Sequence, residues 1–228
     1  MRCIGVKNDG MRSVIEFCSK VVVLAAALSF LAGCSTNQIH SSTVENAISL
    51  ESGDIDAGGL AFITPSTATG QEQDKQALAL IFGETLIKER PKYRVVTLAK
   101  TLGAINRAGL ADEYKQMFQD YRVTGIFDRD ILRKIGLAVG ARYLAQLKLA
   151  GFSQGSKERF SVLGIRMMQT LHANIRVFLQ IWDSQNGTVA WEGAEELNYA
   201  YDTDEERPVT FRDVVVATAH RLIKRLPP

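Results

Sequence analysis

The stretch "NIRVFLQIWDSQNGTVAWEGAEELNYAY" (residues 174–201) decides the fold, because it predicts two strands around an Asn186-Gly187 turn. Apolar and polar residues alternate on both sides of the turn, as in strands that bury one face. A two-residue loop would place Ile181 beside Glu192. A three-residue loop, Gln185-Asn186-Gly187 with Gly187 left-handed, separates apolar from polar side chains, whereas one slip of register would exchange the faces. We therefore predict these cross-strand pairs: Ile181 with Trp191, Ile175 with Leu197, Ala173 with Tyr199, Leu171 with Tyr201, Arg176 with Glu196, Gln180 with Glu192, and Asn174 with Asn198.

Sequence periodicity extends this hairpin into an α+β fold. Asp128 is expected to cap one helix and Thr210, with Asp213, another. Most apolar helix faces can be buried on one side of the sheet, so we expect an antiparallel sheet with helices packed mainly on one face and an extra helical insert in the middle. The predicted elements are strands "GLAFITPS" (59–66), "YRVVTL" (93–98) and "ARYLAQLKLAGF" (141–152), helices "EQDKQALALIFGETLIKER" (72–90) and "TFRDVVVATAHRLIKRL" (210–226), and the helical insert Leu98–Gly140.

The predicted register leaves apolar side chains on the sheet face away from the helices. The segment 153–168 is longer than a tight hairpin needs and mixes basic with apolar residues, so we predict a loop there. Exposed apolar groups often mark interfaces. The alternative is that the N-terminal segment or this loop covers them within one monomer. The interface candidates are Leu144, Phe160, Leu163, Phe178 and Trp182.

The N-terminus has the pattern of a secretory signal. Positive charge at Arg12 and Lys20 precedes the uncharged run "VVVLAAALSF" (21–30), which is short for a membrane-spanning helix. Leu31-Ala32-Gly33-Cys34 resembles a bacterial lipobox, which implies removal of residues 1–33 and acylation of Cys34. Met11 is an alternative start. The other interpretations are an ordinary signal peptide or a buried helix with a chance cysteine.

Cysteine use agrees with this interpretation. Cys3 and Cys18 leave with the signal, so Cys34 remains alone and cannot form an intramolecular disulfide. Ser35 after the cysteine, by resemblance to enterobacterial lipoproteins, favours the outer membrane. The polar residues 34–57 predict a flexible tether with a reach of roughly 25–30 Å. Residues 58–228 are then expected to form a single α+β domain.

Charge gives no reason to expect nucleic-acid binding. Removal of residues 1–33 takes away four basic and two acidic side chains and leaves 23 of each. A net charge near zero lacks the basic surface that nucleic-acid-binding domains carry.

The sequence contains no recognisable catalytic or cofactor motif. His40, His172 and His220 share no metal-ligand spacing with each other, with cysteine or with carboxylates. The segment "GDIDAGG" (53–59) lacks the further ligands of a calcium loop. The acids in "DRD" (128–130) fit a helix cap with a neighbouring ion pair better than a catalytic pair. We therefore expect a protein that is not an enzyme and has no cofactor or metal.

Two short motifs carry a family resemblance: Gly-Ala-Arg-Tyr running into a strand (Gly140–Tyr143), and Asn-Gly-x-x-x-Trp after a long strand (Asn186–Trp191). With the order of elements over about Gly58–Leu226, the chain resembles the CsgG/PelC/LpoB-like lipoproteins, whose anticodon-binding-domain-like fold is also seen at the N-terminus of TolB. The resemblance implies a non-catalytic protein that oligomerises or docks on partners. One spanning hairpin barely fits residues 153–168, which argues against a curli-type pore.

These observations predict a non-catalytic, outer-membrane-anchored lipoprotein on the periplasmic face. It would contact the bilayer through acylated Cys34 and act as an oligomerising or docking component of a cell-envelope assembly or secretion system, bound to itself or to another envelope protein. The alternative is a monomeric regulator that binds and activates a peptidoglycan synthase. A third hypothesis, an enzyme acting on envelope glycans through Asp128 and Asp130, lacks a second carboxylate placed by the sequence.

Overall fold

The computed structural model describes residues 38–67, 72–162, 165–203 and 209–228 and confirms the α+β class. Residues Asn37–Pro228 form one compact unit. The elements are β1 (Gln38–Ala47), α1 (Asp54–Gly58), β2 (Leu60–Phe62), β3 (Ser66–Thr67), α2 (Glu72–Glu89), β4 (Val95–Val96), α3 (Leu98–Arg107), α4 (Ala111–Thr124), α5 (Arg129–Val139), β5 (Tyr143–Val162), β6 (Ile165–Asp183), β7 (Thr188–Thr203) and α6 (Phe211–Arg225).

The described strands form one sheet in the order β1-β7-β6-β5-β2-β4. Strand β3 is not part of this order and pairs separately with β5. The long strands β1, β7, β6 and β5 pair antiparallel with their neighbours. The short strands β2 and β3 run parallel to β5, and β4 runs parallel to β2. The four long strands therefore provide most of the sheet surface.

The predicted register of β6 and β7 is confirmed. Every predicted pair is present, from Leu171 with Tyr201 to Ile181 with Trp191. The turn differs in one detail. Asp183 pairs with Thr188, so the loop between the strands is one residue longer than predicted, and a register shift after Ile181 accommodates this residue. Gly187 has φ 74°, the left-handed conformation that this turn requires.

The first hydrophobic core lies between the sheet and helices α2 and α6. The stripe predicted for α2 is buried there, including Leu78, Phe82 and Leu86. Helix α6 begins with the predicted capping box, in which Thr210 and Asp213 exchange side-chain and backbone hydrogen bonds. Each fully buried Leu or Phe contributes roughly 1.5–3 kcal/mol, so this layer supplies most of the apolar stabilisation.

A second core lies on the opposite face of the sheet, beneath the helical insert α3–α5. Its aromatic side chains interlock: the Tyr121 ring stacks on Phe127 at 4.1 Å, and Phe127 meets Trp182 edge-to-face at 5.0 Å. The extra helical insert predicted for the middle of the chain packs on this second face, opposite α2 and α6. An amphipathic helix must bury its apolar stripe, and this face supplies the surface for it.

Leu144 and Trp182 lie in this second core and are not exposed. Leu144 is 0 % and Trp182 4 % exposed, so the prediction that they form an intermolecular interface is wrong. They do lie on the predicted face, away from α2 and α6. The described element that covers them is the helical insert, with Tyr114, Met117 and Phe127 in the same core.

The flexible tether predicted for residues 34–57 is wrong over its described part. All ten residues of β1 pair with β7, and residues 54–58 form α1. Edge strands need no apolar alternation, because one edge and one face remain in water. β-branched residues in β1, among them Ile39, Thr43 and Val44, favour extended backbone. The folded domain thus begins about twenty residues earlier than expected.

The segment 153–168 is also not a loop. Strands β5 and β6 continue through it and pair as far as Val162 and Ile165, with register shifts near Glu158 and Phe160. Phe160 lies opposite Met168 in this ladder, whereas Leu163 lies outside the described residues. The two strands therefore extend beyond the end of β7, whose last residue, Thr203, lies opposite Gln169.

Replacement of Trp182 tests the second core. We expect Trp182→Ala to lower the free energy of unfolding by about 3–5 kcal/mol, because it empties a packed aromatic site. Phe178→Ala, on the same strand and face but partly exposed, is the matched control and should cost about 1 kcal/mol. Urea unfolding measures both. Equal, small losses would mean that the insert does not pack on the sheet.

Candidate interaction surface

Among the described residues, those that cover the sheet face opposite α2 and α6 lie at the end where β6 turns into β7. We call the uncovered part of this face the open face. The strand registers place its side chains in three rows across four strands. The rows are Asn46-Glu192-Gln180-Gln146, Val44-Ala194-Phe178-Lys148 and Ser42-Glu196-Arg176-Gly151.

Apart from Lys148 at one end, the middle row is apolar and partly exposed. Phe178 is 38 % and Val44 67 % exposed, with Ala194 between them. An open groove between β1 and β6 is lined by these three residues and by parts of the neighbouring row. Phe178 is the only candidate interface residue with a described side chain that reaches the surface. Aromatic side chains at the centre of a polar surround are typical of protein contacts.

The polar rows beside it are paired within the chain. Arg176 donates two hydrogen bonds to one carboxylate oxygen of Glu196. On the other side, Gln180 donates to Glu192 at 3.3 Å and accepts from the Tyr121 hydroxyl at 3.3 Å. Burial raises the pKa of Tyr121, so this hydroxyl stays protonated. Hydrogen bonds within the chain therefore hold the polar side chains of this surface in place. The apolar row, which is still exposed to water, is the part that would gain from contact with a partner.

A small cavity at one edge of the open face contains a buried amide. Gln146 is almost fully buried, and within the described ranges neither of its amide atoms has a hydrogen-bond partner of good geometry, although it interacts with the Tyr121 hydroxyl. Tyr121, Lys148 and Phe178 line the same cavity. An unpaired buried amide costs about 1–3 kcal/mol, so a polar atom entering here would be favoured.

The two family motifs meet at the covered end of the sheet. Tyr143 pairs with Asp183, and Arg142 donates to Asp183 through Nη2 at 2.7 Å and through Nε at 3.1 Å. Asp183 is buried and also accepts the backbone N–H of Gln185 at 2.9 Å. The hydrogen bond to Asp183 raises the pKa of Arg142, which keeps the guanidinium group charged. Arg142 of the first motif thus holds Asp183 and with it the β6–β7 turn that leads into the second motif, and neither residue lines the open face.

The acids and histidines considered as catalytic or metal-binding residues lie in different elements of the fold. Asp128 caps α5 as predicted, its Oδ1 accepting the N–H of Ile131 at 2.9 Å, and Asp130 lies 3.7 Å from Arg129. His220 contacts Glu89, and His40 lies in β1. Over the residues that the structure describes, no three His, Cys, Asp or Glu side chains are grouped to hold a metal ion.

Cys34 lies outside the described residues, so its acylation stays a prediction. Within the ranges that are described, no helix combines the length and the apolar character required to cross a bilayer.

Sequence reasoning missed a buried carboxylate on β7. Glu195 is fully buried on the face toward α6, where Arg221 Nε lies 3.5 Å from its Oε1 and the Thr43 hydroxyl donates to its Oε2. Burial raises the pKa of Glu195 above its ordinary value of 4.5. The predicted register already implied this position, since Glu195 has the same parity as Trp191 and Leu197. This carboxyl group joins β1, β7 and α6.

Comparisons with known proteins agree on shape alone. No family model matches the chain, and no curated protein matches it. Its structure is similar to a PelC dodecamer from Paraburkholderia phytofirmans, at 11 % identity and a TM-score of 0.42, covering 82 % of this chain and 97 % of that chain.

Two further solved structures are similar. Lipoprotein GNA1162 from Neisseria meningitidis has 12 % identity and a TM-score of 0.37, with 72 % of this chain and 96 % of that chain covered. The C-terminal domain of LpoB from Salmonella enterica has 13 % identity and a TM-score of 0.32, with 66 % and 85 % covered. PelC and LpoB are two of the proteins named by the sequence resemblance. At these scores the likeness assigns no role.

The raised pKa of Glu195 predicts how stability depends on pH. Folding favours the protonated carboxyl, so its contribution is fully present below about pH 4.5 and is lost as the pH rises through the folded-state pKa. Glu195→Gln cannot ionise. We therefore expect the stability of this variant relative to wild type to increase from pH 4.5 to pH 7.5, measured by urea unfolding. Glu196→Gln, on the exposed side of the same strand, should show no such gain, and a decrease for Glu195→Gln would contradict the account.

Proposed function

We propose that this chain is a non-catalytic lipoprotein of the bacterial envelope, anchored in the outer membrane through acylated Cys34 with its domain on the periplasmic side. In this role it is a component of an envelope assembly or secretion system and binds a second copy or another envelope protein. The observation that carries the docking role is the exposed apolar row of the open face, with Phe178 at its centre and Val44 at its edge.

Burial energetics favour this row as the contact. Removing an aromatic side chain such as Phe178 from water yields roughly 1.5–3 kcal/mol when burial is complete, and part of that remains available here. The row lies on paired strands and not on a loop, so little conformational entropy is lost when a partner binds. The paired polar rows beside it, including Arg176 with Glu196, suit the rim of an interface.

The position of β1 connects docking to anchoring. Val44 belongs to β1, and β1 begins four residues after Cys34. An acyl group on Cys34 would therefore hold the open face close to the membrane. This arrangement suits a component that meets its partner at the bilayer surface, whether that partner is a second copy or an envelope enzyme under regulation.

The oligomeric state of the mature chain tests this role. The chain carrying Cys34→Ser removes acylation, and light scattering coupled to size exclusion gives its mass. We expect an assembly larger than one chain, and we expect Phe178→Asp to shift it to monomer. Val123→Asp is the matched control, because Val123 is an 88 % exposed apolar residue on α4, outside the open face.

Other outcomes distinguish the remaining roles. A monomer that is crosslinked in cells to a peptidoglycan synthase through a photoreactive residue at position 178 would favour the regulator. A monomer with no crosslinked partner would remove the docking role. Mass spectrometry of the native protein tests the anchor separately, since an unmodified Cys34 thiol is incompatible with it.

A further inference from the structure

A cavity lies between α4 and the segment that contains β3, beside the open face. Its volume is about 550 Å³, which is within the range of ligand sites in proteins. Ser66 and Thr67 form one wall, and α4 forms the other wall through Lys115, Phe118 and Arg122. We call this cavity the basic hollow. None of the described residues that line it is acidic.

The residues of α4 that line the basic hollow follow helical spacing. Lys115, Phe118, Gln119 and Arg122 lie on one side of the helix, since three, four or seven residues separate each of the others from Lys115. Seven residues rise about 10.5 Å along a helix, so the two cations lie at the two ends of this stripe. The half-buried Phe118 ring lies between them and packs edge-on against Tyr114 at 4.9 Å.

The cations around the basic hollow leave its positive charge uncompensated. Lys115 and Arg122 are exposed, and within the described ranges neither forms an ion pair. Lys148, which is also exposed and without an ion pair there, lies opposite Ser66 in the pairing of β3 with β5 and borders the hollow. Lys75 adds a further cation to the lining. Because the mature chain has equal numbers of acidic and basic side chains, this grouping is a local positive surface.

The walls of the basic hollow also contain hydroxyl groups. The Ser66 hydroxyl is covered from water and has no hydrogen-bond partner within the described ranges, so an anion beside Lys148 would gain a donor that the fold leaves unused. The Tyr114 hydroxyl, by contrast, donates to Thr64 Oγ1 at 2.9 Å and accepts the Thr64 N–H at 2.8 Å. Burial raises the pKa of Tyr114 to about 12, so this group stays neutral and adds no negative charge to the hollow.

The spacing of the cations favours a chain of carboxylates over a single anion. One phosphate or carboxylate group cannot contact Lys115 and Arg122 together, because their backbone positions are about 10.5 Å apart. In an extended peptide, alternate side chains point to one side, and residues four apart are separated by about 13 Å. The flexible side chains of Lys and Arg cover the difference. The residue midway between the two acids would then lie over the Phe118 ring, where an apolar side chain is favoured.

We propose that the basic hollow binds an extended acidic segment of another protein, with two carboxylates four residues apart on Lys115 and Arg122 and an apolar side chain between them on Phe118. Lys148 receives a further acidic group at the border of the hollow. In the pairing order Ser66-Lys148-Phe178, the hollow and the apolar row lie on opposite sides of Lys148, so both can be occupied at once. That the bound protein belongs to the envelope rests on the proposed function, whereas the binding of an acidic segment does not.

Selection from a library of random peptides displayed on phage tests this chemistry without assuming a sequence. The immobilised target is the mature chain carrying Cys34→Ser. We expect enrichment of peptides in which two Asp or Glu residues, four apart, flank an apolar residue at the middle position. A selection that enriches no acidic sequences would overturn the proposal. Acids seven apart would indicate a helical ligand and would also overturn it.

Charge reversal shows whether the selected peptide binds in the hollow. We expect Lys115→Glu combined with Arg122→Glu to weaken binding of the labelled peptide severalfold in fluorescence anisotropy. Lys92→Glu combined with Lys100→Glu is the matched control, since both lysines are exposed and neither lines the hollow. Replacing the acids of the peptide by Asn and Gln should weaken its binding to the unchanged chain as well. Equal affinity for the two charge-reversed chains would contradict the proposal.

Further outcomes separate this inference from its alternatives. Loss of binding in Phe178→Asp, with full binding in the chain reversed at 115 and 122, would place the peptide on the apolar row and overturn the inference. An alginate oligosaccharide that binds where the selected peptide does not would show a site for anionic polysaccharide and would also overturn it. A chain that binds the peptide in the hollow but carries no acyl group, stays monomeric and has no crosslinked partner would refute the proposed function and leave this inference standing.

Discussion

Strand β7 is held on both of its edges, by β6 on one side and by β1 on the other. Successive side chains of β7 point to opposite faces of the sheet. The pairing of β7 with β1 and β6 therefore also fixes the face on which each side chain of those two strands lies. Trp191 and Leu197 enter the core beneath α2 and α6, and Ala194 falls on the open face between Val44 and Phe178. A shift of one residue on either edge would bury the polar rows and expose the core. Glu195 reinforces the arrangement, since its buried carboxyl contacts both β1 and α6.

Strong local patterns could be predicted from the sequence. The β6–β7 register followed from pairing apolar with apolar residues, and the caps at Asp128 and Thr210 followed from their side chains. The cover over Trp182 was missed because each helical stripe was recognised without asking which surface would bury it. Strand β1 was missed because an edge strand needs little apolar surface, and its β-branched residues are a weak indication.

The candidate surface was predicted only in part, for the same reason. Phe178 and Trp182 have the same parity on β6, so the sequence places them on one face but cannot show where the insert ends. The structure separates them: Trp182 stabilises the fold, and Phe178 remains available to a partner. Arg142 of the first motif has a structural role as well, since it holds Asp183 and the turn at the covered end. Trp182, Arg142 and Asp183 thus stabilise the fold at the covered end of the sheet.

Strand β1 belongs to the sheet, so the folded domain begins a few residues after Cys34, the cysteine proposed as the anchor. Hydrogen exchange of the backbone amides in residues 38–47, measured on the mature protein, tests it most directly. The account predicts that the β1 amides bonded to β7 exchange far more slowly than those of an unstructured chain. Exchange of every amide in this segment at the unstructured rate would contradict it, and the short connection between lipid and domain would be lost.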